Sequence, residues 1–460
     1  MANTKKAKPR NSSPAKKGAA GRSAVRLSQC MIVKNEEKNI ERALTWAKGI
    51  AFEQIVVDTG STDRTVEIAK SLGATVYHFD WIEDFSAAKN YAIEQAKGNW
   101  IAFCDADEYL PDADAKKLKG FLQRTAAEFP RALVVRCDWA NLDGEGNIFL
   151  TLQQDRFFRN HPGVRYVNRI HEFLSTPWLE CMIETKEISI IHTGYTSAAL
   201  MEQSKAERNM KIIREEMAER PEDTGLKRYL ADALVVLGTE DALAEAETLY
   251  RDVVEDETVR TGQHGRAAID YLIRTELDRG RLESALEICA RAREYHPENQ
   301  DFYYYSAKAL FALRRFDEAW DMFVSCENAI LSGKSTSTRM NADSAEAIMQ
   351  DMMRCALERD DWQKAVEYAL MTLTQNKYAS VVLHVLLVIL RSAVREDDMA
   401  ILNSLRRIYD FDDPHDKLFL AKCAKAAKDE VLMIFFYKMI TDKDRAILNP
   451  TMLNHNGLAK

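Results

Sequence analysis

The sequence has no pair of cysteines at the CxxC spacing of zinc sites and thioredoxin-like redox motifs. Its eight cysteines are scattered along 460 residues, and several lie in apolar runs, where an unpaired cysteine behaves as a small hydrophobe. Unpaired thiols are typical of the reducing cytoplasm. We therefore expect a cytoplasmic protein with reduced cysteines and no cysteine-based zinc site.

Long apolar runs are also missing. A membrane-spanning helix needs roughly 20 apolar residues, and the longest candidate, residues 381–389, is shorter and contains His384. Residues 1–24 have no apolar core and no acidic side chain but carry seven basic ones, which predicts a disordered tail and not a signal peptide. The net charge of −8 gives no support to a nucleic-acid-binding protein.

After the tail, short apolar runs alternate with amphipathic segments. Strands are predicted at residues 24–33, 52–57, 74–79 and 100–104, and later at 151–159 and 165–174. Helices are predicted between the first four strands, and Ser61 or Thr62 is expected to cap the second helix. Strand–helix alternation with short connections predicts a parallel, right-handed, doubly wound α/β sheet.

Polar clusters follow three of these strands, at residues 34–37, 58–65 and 105–108. Ligands bind at the carboxyl ends of strands in such sheets, so we expect one shared site. Asp105 and Asp107 are two residues apart and would repel each other on one face unless a cation lay between them. A Mg²⁺ or Mn²⁺ ion that carries a diphosphate suits such oxygen ligands, and a solvated acidic turn is the alternative.

The sequence after residue 200 is helical in pattern and partly repetitive. Residues 279–285 resemble residues 314–319, and Ala285 and Ala319 are 34 residues apart, which is the tetratricopeptide period. A third similar segment follows 46 residues later at Ala365, so the array is interrupted near residues 332–344. Repeats are predicted at residues 226–300 (two), 301–333 and 343–376. An irregular helical bundle is the alternative.

Three motifs in order, Met31–Glu36, Val56–Thr65 and Cys104–Glu108, resemble those of family 2 glycosyltransferases of the GT-A fold, over about residues 27–195. A later His171–Glu172 pair, a His192–Tyr195 segment and the repeats make the chain similar to the branch that contains sublancin-type peptide S-glycosyltransferases. The resemblance implies a GT-A (Rossmann-like) nucleotide-sugar domain at residues 25–200 and an all-α, tetratricopeptide-like domain at residues 201–460.

The resemblance also implies a donor site for a nucleotide diphosphate sugar, expected to be UDP-linked. The residues expected to contact the donor lie at strand ends and on the third helix: Val33, Asn35, Glu36, Asp58, Ser61, Lys89 and Asp105. A carboxylate such as Asp58 can accept from the N–H of uracil, although a helix cap is its alternative role. Lys89 would lie near the diphosphate, with a solvated lysine as the alternative.

The remaining site residues follow from the same resemblance. Asp107, Asp105 and His192 are expected to hold Mn²⁺ or Mg²⁺. Glu172 is the candidate base that takes a proton from the acceptor in an inverting transfer, and Asp155 is the alternative.

The expected enzyme is thus a metal-dependent glycosyltransferase whose repeats present a protein or peptide acceptor. A homodimer is a further expectation, because repeat domains often mediate dimers. The alternatives are a transferase that acts on lipopolysaccharide or cell-wall glycan, and a catalytically silent repeat scaffold.

Overall fold

The computed structural model describes residues 24–193, 199–331, 345–394 and 397–448. The chain divides into two compact units, Met1–Glu222 with Asp232–Ala242, and Asp223–Ala231 with Leu243–Lys460. The predicted tail, apart from Ala24, and the predicted interruption of the repeats lie outside the described residues.

The first unit combines strands and helices. Its strands are β1 (Leu27–Val33), β2 (Glu53–Asp58), β3 (Thr75–His78), β4 (Trp100–Phe103), β5 (Glu108–Tyr109), β6 (Val134–Leu142), β7 (Ile148–Arg159), β8 (Arg165–Val167), β9 (Phe173–Ser175) and β10 (Met182–His192). Its helices are α1 (Ile40–Thr45), α2 (Thr65–Ser71), α3 (Phe85–Gln95), α4 (Asp112–Glu128) and α5 (Ala199–Glu219). A short 3₁₀ turn at Leu179–Cys181 precedes β10.

Eight strands form one mixed sheet in the order β3-β2-β1-β4-β7-β6-β10-β5. The four strands from β3 to β4 are parallel, which confirms the predicted α/β class. The parallel arrangement predicted from the strand–helix alternation does not extend beyond β4, because β7 pairs antiparallel with both β4 and β6. The Asp143 side chain accepts hydrogen bonds from the N–H groups of Glu145 and Asn147, which forms a tight turn between β6 and β7. Only antiparallel strands can be joined by so tight a turn.

The single strand predicted for residues 165–174 is also wrong. Asn168 and His171 have φ values of 74° and 51°, in the left-handed region that an extended strand cannot contain. The chain therefore turns back, and Tyr166 in β8 pairs with Leu174 in β9 as a separate two-stranded hairpin. This hairpin carries Glu172 on its turn side.

Strand β4 is the buried centre of the sheet. All four of its residues are at most 2% exposed. Trp100 and Ala102 pack with the core on the α4 side, and Ile101 and Phe103 pack with residues of α3 and β8 on the other side. Burial of both faces explains the uninterrupted apolar run, and it also delivers the following acidic residues to a fixed place.

The described residues between 224 and 447 are predominantly helical. The helices are α6 (Thr224–Leu237), α7 (Glu240–Glu255), α8 (Gln263–Asp278), α9 (Leu282–Tyr295), α10 (Asp301–Ala312), α11 (Phe316–Leu331), α12 (Ala345–Glu358), α13 (Trp362–Gln375), α14 (Ser380–Val394), α15 (Asp398–Leu405), α16 (Pro414–Ala426), α17 (Glu430–Met439) and α18 (Asp442–Ile447). Successive pairs such as α10–α11 and α12–α13 pack together, as the predicted repeats require.

Four of the helix pairs are joined by the same left-handed turn. The turn residues are Gly280, Arg314, Asp360 and Lys428, with φ between 57° and 70°. In each turn the next residue donates its N–H to a carbonyl five residues back, as in Arg281 to Glu276. In each case three residues separate the end of one helix from the start of the next. The four turns therefore share one backbone conformation, although only one of them has glycine at the left-handed position.

Two expectations about composition can be compared with the structure. All eight cysteines are buried free thiols, as small hydrophobes should be. Among the described residues, no helix is both long and apolar enough to cross a bilayer.

The turns predict a stabilising substitution. Asp360 is exposed, and its left-handed backbone conformation strains any residue that has a Cβ atom. Asp360→Gly should therefore raise the free energy of unfolding by about 1 kcal/mol. Urea denaturation of the full chain measures this effect. The matched control, Gly280→Ala, should lower stability by about 1 kcal/mol. Equal stability of both variants and the wild type would contradict the assigned turn geometry.

Candidate active site

The loops after β1 and β2 are joined by side-chain to backbone hydrogen bonds. The Asn35 N–H donates to Ser61 Oγ at 3.0 Å, and the Thr62 N–H donates to Asn35 Oδ1 at 2.7 Å. The Glu36 N–H donates to Thr65 Oγ1 at 2.7 Å. The predicted capping role of Ser61 or Thr62 is therefore wrong: both serve this connection, and α2 begins only at Thr65.

Val33 and Asp58 lie at the ends of the two strands that carry these loops. The Val33 carbonyl accepts the Thr59 N–H at 2.9 Å. Asp58 is 6% exposed and accepts the Ser61 N–H at 3.0 Å, and His78 Nδ1 lies 3.5 Å from its other oxygen. Asp58 thus shapes its own loop and does not cap α2, so its contact with a nucleobase stays a prediction.

The acidic end of β4 is built around two buried cations. Asp105 Oδ2 lies 3.1 Å from Arg156 Nη2, and Asp105 Oδ1 lies 3.7 Å from Lys89 Nζ. Arg156 Nη2 also contacts Glu108 Oε1 at 2.5 Å. Glu108 is 1% exposed, and its other oxygen accepts the Asp105 N–H at 2.9 Å. Glu108 therefore fixes the loop from inside, and Trp139 Nε1 adds a third bond to it.

Burial and charge act in opposite directions on these groups. Burial alone would raise the pKa of Asp105, but Lys89 and Arg156 outweigh it and hold that pKa below its usual value. Burial raises the pKa of Glu108, and Arg156 only partly offsets the shift. Burial also raises the pKa of Glu36; its bond from Asn39 opposes this, and the charges of Asp107 and Asp105 add to it.

Lys89 connects this cluster to Glu172. Its Nζ lies 2.5 Å from Glu172 Oε1, and it also lies 5.4 Å and 5.0 Å from the ring centroids of Phe103 and Tyr166. Lys89 is 5% exposed, so the alternative of a solvated lysine is wrong. The pairing holds Glu172 in one position, within reach of Asp105.

Asp107 faces His192 on the neighbouring edge of the sheet. Asp107 Oδ2 lies 3.2 Å from His192 Nε2, and His192 Nδ1 lies 2.9 Å from Asn141 Oδ1. Because Asn141 Nδ2 donates to the Leu150 carbonyl, Asn141 Oδ1 must accept, and His192 Nδ1 must carry a proton. Nε2 then turns its lone pair toward a carboxylate unless a proton or a metal ion lies between them.

The spacing of this pair fits a divalent cation. Two neighbouring ligands of an octahedral ion with bonds of about 2.1 Å stand about 3 Å apart, close to the 3.2 Å between Asp107 and His192. The oxygens of Asp105 are directed to Lys89 and Arg156 instead. Within the described ranges, no group of three or more His, Cys, Asp or Glu side chains is arranged to hold a metal. The role of Asp105 as a third ligand stays a prediction.

Asp155, the alternative base, lies apart from these residues. It forms a two-pronged ion pair with Arg136 at 2.8 and 3.1 Å across the β6–β7 ladder. Arg156 follows Asp155 at a bulge in β7, where the pairing with β6 shifts by one residue. Only Arg156 reaches the acidic cluster.

Two family models match parts of the chain. Residues 28–169 match the model of glycosyl transferase family 2, and residues 276–322 match a tetratricopeptide repeat model. The chain therefore carries a family 2 glycosyltransferase domain. The matched range of the glycosyltransferase domain includes both loops, the β4 cluster and Arg156, but ends before Glu172 and His192.

Curated relatives are similar over part of their length. The chain is 33% identical over 226 residues to a TPR repeat-containing protein of Synechococcus elongatus, which covers 47% of the chain and 54% of that protein. It is 30% identical over 201 residues to the SPbeta prophage-derived glycosyltransferase SunS of Bacillus subtilis, which covers 42% and 45%. The chain thus spans about half the length of these relatives.

Likeness to solved structures is weaker. The S. aureus protein TarS, solved in complex with UDP, is 16% identical to the chain at a TM-score of 0.30, over 50% of the chain and 79% of that structure.

The ion-pair network of the glycosyltransferase domain predicts a strong stability effect. Arg156→Met would leave Glu108 a buried carboxylate without a cation, which should cost about 3–5 kcal/mol of unfolding free energy. The double variant Arg156→Met/Glu108→Gln removes both charges and should recover more than half of that loss. Chemical denaturation of the wild type, Arg156→Met, Glu108→Gln and the double variant gives the comparison. Additive losses in the double variant would contradict the direct coupling of the pair.

Proposed function

We propose that this chain is an inverting, metal-dependent glycosyltransferase that moves a sugar from a UDP-linked donor to a protein or peptide acceptor. The observation that carries the proposal is the neighbourhood at the end of β4. On one side of Asp105 lies the Asp107–His192 pair, whose spacing fits a divalent cation. On the other side lies Glu172, a carboxylate held by the buried Lys89.

Asp107 and His192 would hold the cation, Mn²⁺ or Mg²⁺. When bound, such an ion neutralises the charge that develops on the leaving diphosphate. Asn141 supports this role because its bond to Nδ1 leaves the Nε2 lone pair for the ion, an arrangement typical of histidine ligands. Trp139 stacks on the imidazole, with ring centroids 4.4 Å apart, and limits its rotation.

The joined loops would hold the nucleoside. Their mutual hydrogen bonds preorganise the backbone around Asn35 and Glu36, which lowers the entropy cost of binding. Asp58, beside these loops, would accept the N–H of uracil. Asp105, between two cations, would contact the ribose.

Glu172 would take the proton of the acceptor as its nucleophilic atom bonds to the sugar and the bond to the diphosphate breaks. Lys89 positions the carboxylate for that task. Asp155 is a weaker candidate, since both of its carboxylate oxygens are held by Arg136.

The repeats would recognise the acceptor. The tetratricopeptide match supports a protein partner, because such arrays form extended binding surfaces. Helix α13 adds exposed apolar side chains, with Trp362 51%, Leu370 39% and Met371 40% exposed. The cytoplasm is the proposed location, supported by the eight buried thiols.

The metal assignment is tested with a panel of UDP- and GDP-sugars and Mn²⁺, with release of the nucleoside diphosphate as readout. Asp107→Asn should lower kcat/KM at least about 100-fold, since it removes an ionised ligand. Asp112→Asn, an exposed acid on α4, is the matched control and should keep wild-type turnover. Full activity of Asp107→Asn would remove the metal assignment, and no release by the wild type would remove the proposed function.

The base assignment is tested by comparing two carboxylates. Glu172→Gln should lower kcat by about 100- to 10,000-fold, because the positioned base is lost, and should leave UDP affinity within about threefold. Asp155→Asn should keep kcat near the wild-type value. Single-turnover kinetics with calorimetric UDP titrations measure both quantities. The reverse result for the two variants would make Asp155 the base.

A further inference from the structure

Helix α5 packs beside the candidate site within the first unit. Lys211 Nζ lies 3.0 Å from Glu83 Oε1, just before α3. Arg169 Nη2 lies 2.6 Å from Glu219 Oε1, three residues before Glu172 in the hairpin. These ion pairs tie α5 to both chain segments that form the Lys89–Glu172 side of the site.

Two further cations, Lys205 and Arg208, lie on α5 within two turns before Lys211. Arg208 places its guanidinium carbon 5.1 Å from the ring centroid of Phe85, the first residue of α3. Partial loss of hydration lowers the pKa of Arg208, and the charges of Glu83 and Glu172 oppose that shift, so both carboxylates lie within its electrostatic reach. The charge of Lys205 likewise acts on Glu36, where it opposes the rise in pKa that burial causes.

Lys205 and Arg208 are three residues apart and therefore share a face of α5. One is near the loop after β1 and the other near the hairpin that carries Glu172. Arg208 packs on Phe85, one turn before Lys89 in α3, so this face of α5 borders the Lys89–Glu172 side of the site.

The cations inside the site are already engaged. Lys89 is shared by Glu172 and Asp105, and Arg156 is shared by Glu108 and Asp105. A diphosphate could attract either one only by leaving a buried carboxylate unpaired, which is costly. Arg208 differs: in the described part of the chain its guanidinium hydrogen-bonds only the side chain of its neighbour Asn209.

We propose that Arg208, with Lys205 beside it, binds the diphosphate of the nucleotide donor, the role that the sequence suggested for Lys89. This inference rests on the proposed function. A guanidinium suits the task because its planar donors match phosphate oxygens. The helix after the glycosyltransferase sheet thereby belongs to the donor site and not to the acceptor-binding repeats.

The test separates the diphosphate from the nucleoside. UDP and uridine are titrated by calorimetry, with MnCl₂, into the wild type, Arg208→Ala, Arg208→Lys and Lys211→Ala. GDP and guanosine are titrated in the same way. We expect Arg208→Ala to weaken UDP binding about 10- to 100-fold and uridine binding less than about twofold. Arg208→Lys should recover part of the loss, and Lys211→Ala, whose lysine pairs with Glu83, should bind like the wild type.

Three results would overturn the inference. Wild-type UDP affinity in Arg208→Ala would do so while leaving the proposed function intact. A parallel loss of UDP and uridine binding, with a lower thermal midpoint, would show that Arg208 only packs on Phe85. A wild type that binds no nucleoside diphosphate would remove both the inference and the proposed function.

Discussion

Two buried cations, Lys89 and Arg156, neutralise the carboxylates that gather at the end of β4. Asp105, Glu108 and Glu172 converge at the end of a strand with no exposed face, and Lys89 and Arg156 pair with all three carboxylates. The network also decides the local fold. It links α3 and β7 to the end of β4, and it directs the oxygens of Asp105 to Lys89 and Arg156. Asp105 therefore pairs with the two cations, whereas Asp107 faces His192.

Much of this could be predicted from local sequence. The apolar run of β4 and the polar clusters after β1, β2 and β4 predicted a common site, because parallel strands place their ends together. Arg156 could not be recognised in this way. It belongs to a group of arginines, and only the antiparallel pairing of β7 with β4 distinguishes it from Arg159 and Arg165. Asn141 escaped notice for the same reason, since its contact with His192 spans 51 residues.

The repeats show the opposite relation between sequence and structure. Their 34-residue period is visible in sequence, yet their common turn is not, because glycine, arginine, aspartate and lysine all occupy its left-handed position. Neighbouring helices enforce the backbone there, even where a residue other than glycine adds a steric cost. In the first unit, by contrast, the ion pairs of the site depend on single side chains, Lys89 and Arg156. Sequence patterns therefore predict the repeats by period and the site only by motif order.

The central claim is that Asp107 and His192 together form a divalent-cation site. Pulsed EPR of Mn²⁺ bound to the chain in the presence of UDP tests it most directly. The account predicts a ¹⁴N coupling from a directly bound imidazole, which disappears in His192→Gln while the Asp112→Asn spectrum keeps it. Tightly bound Mn²⁺ without nitrogen coupling in the wild type, or an unchanged coupling in His192→Gln, would contradict the account.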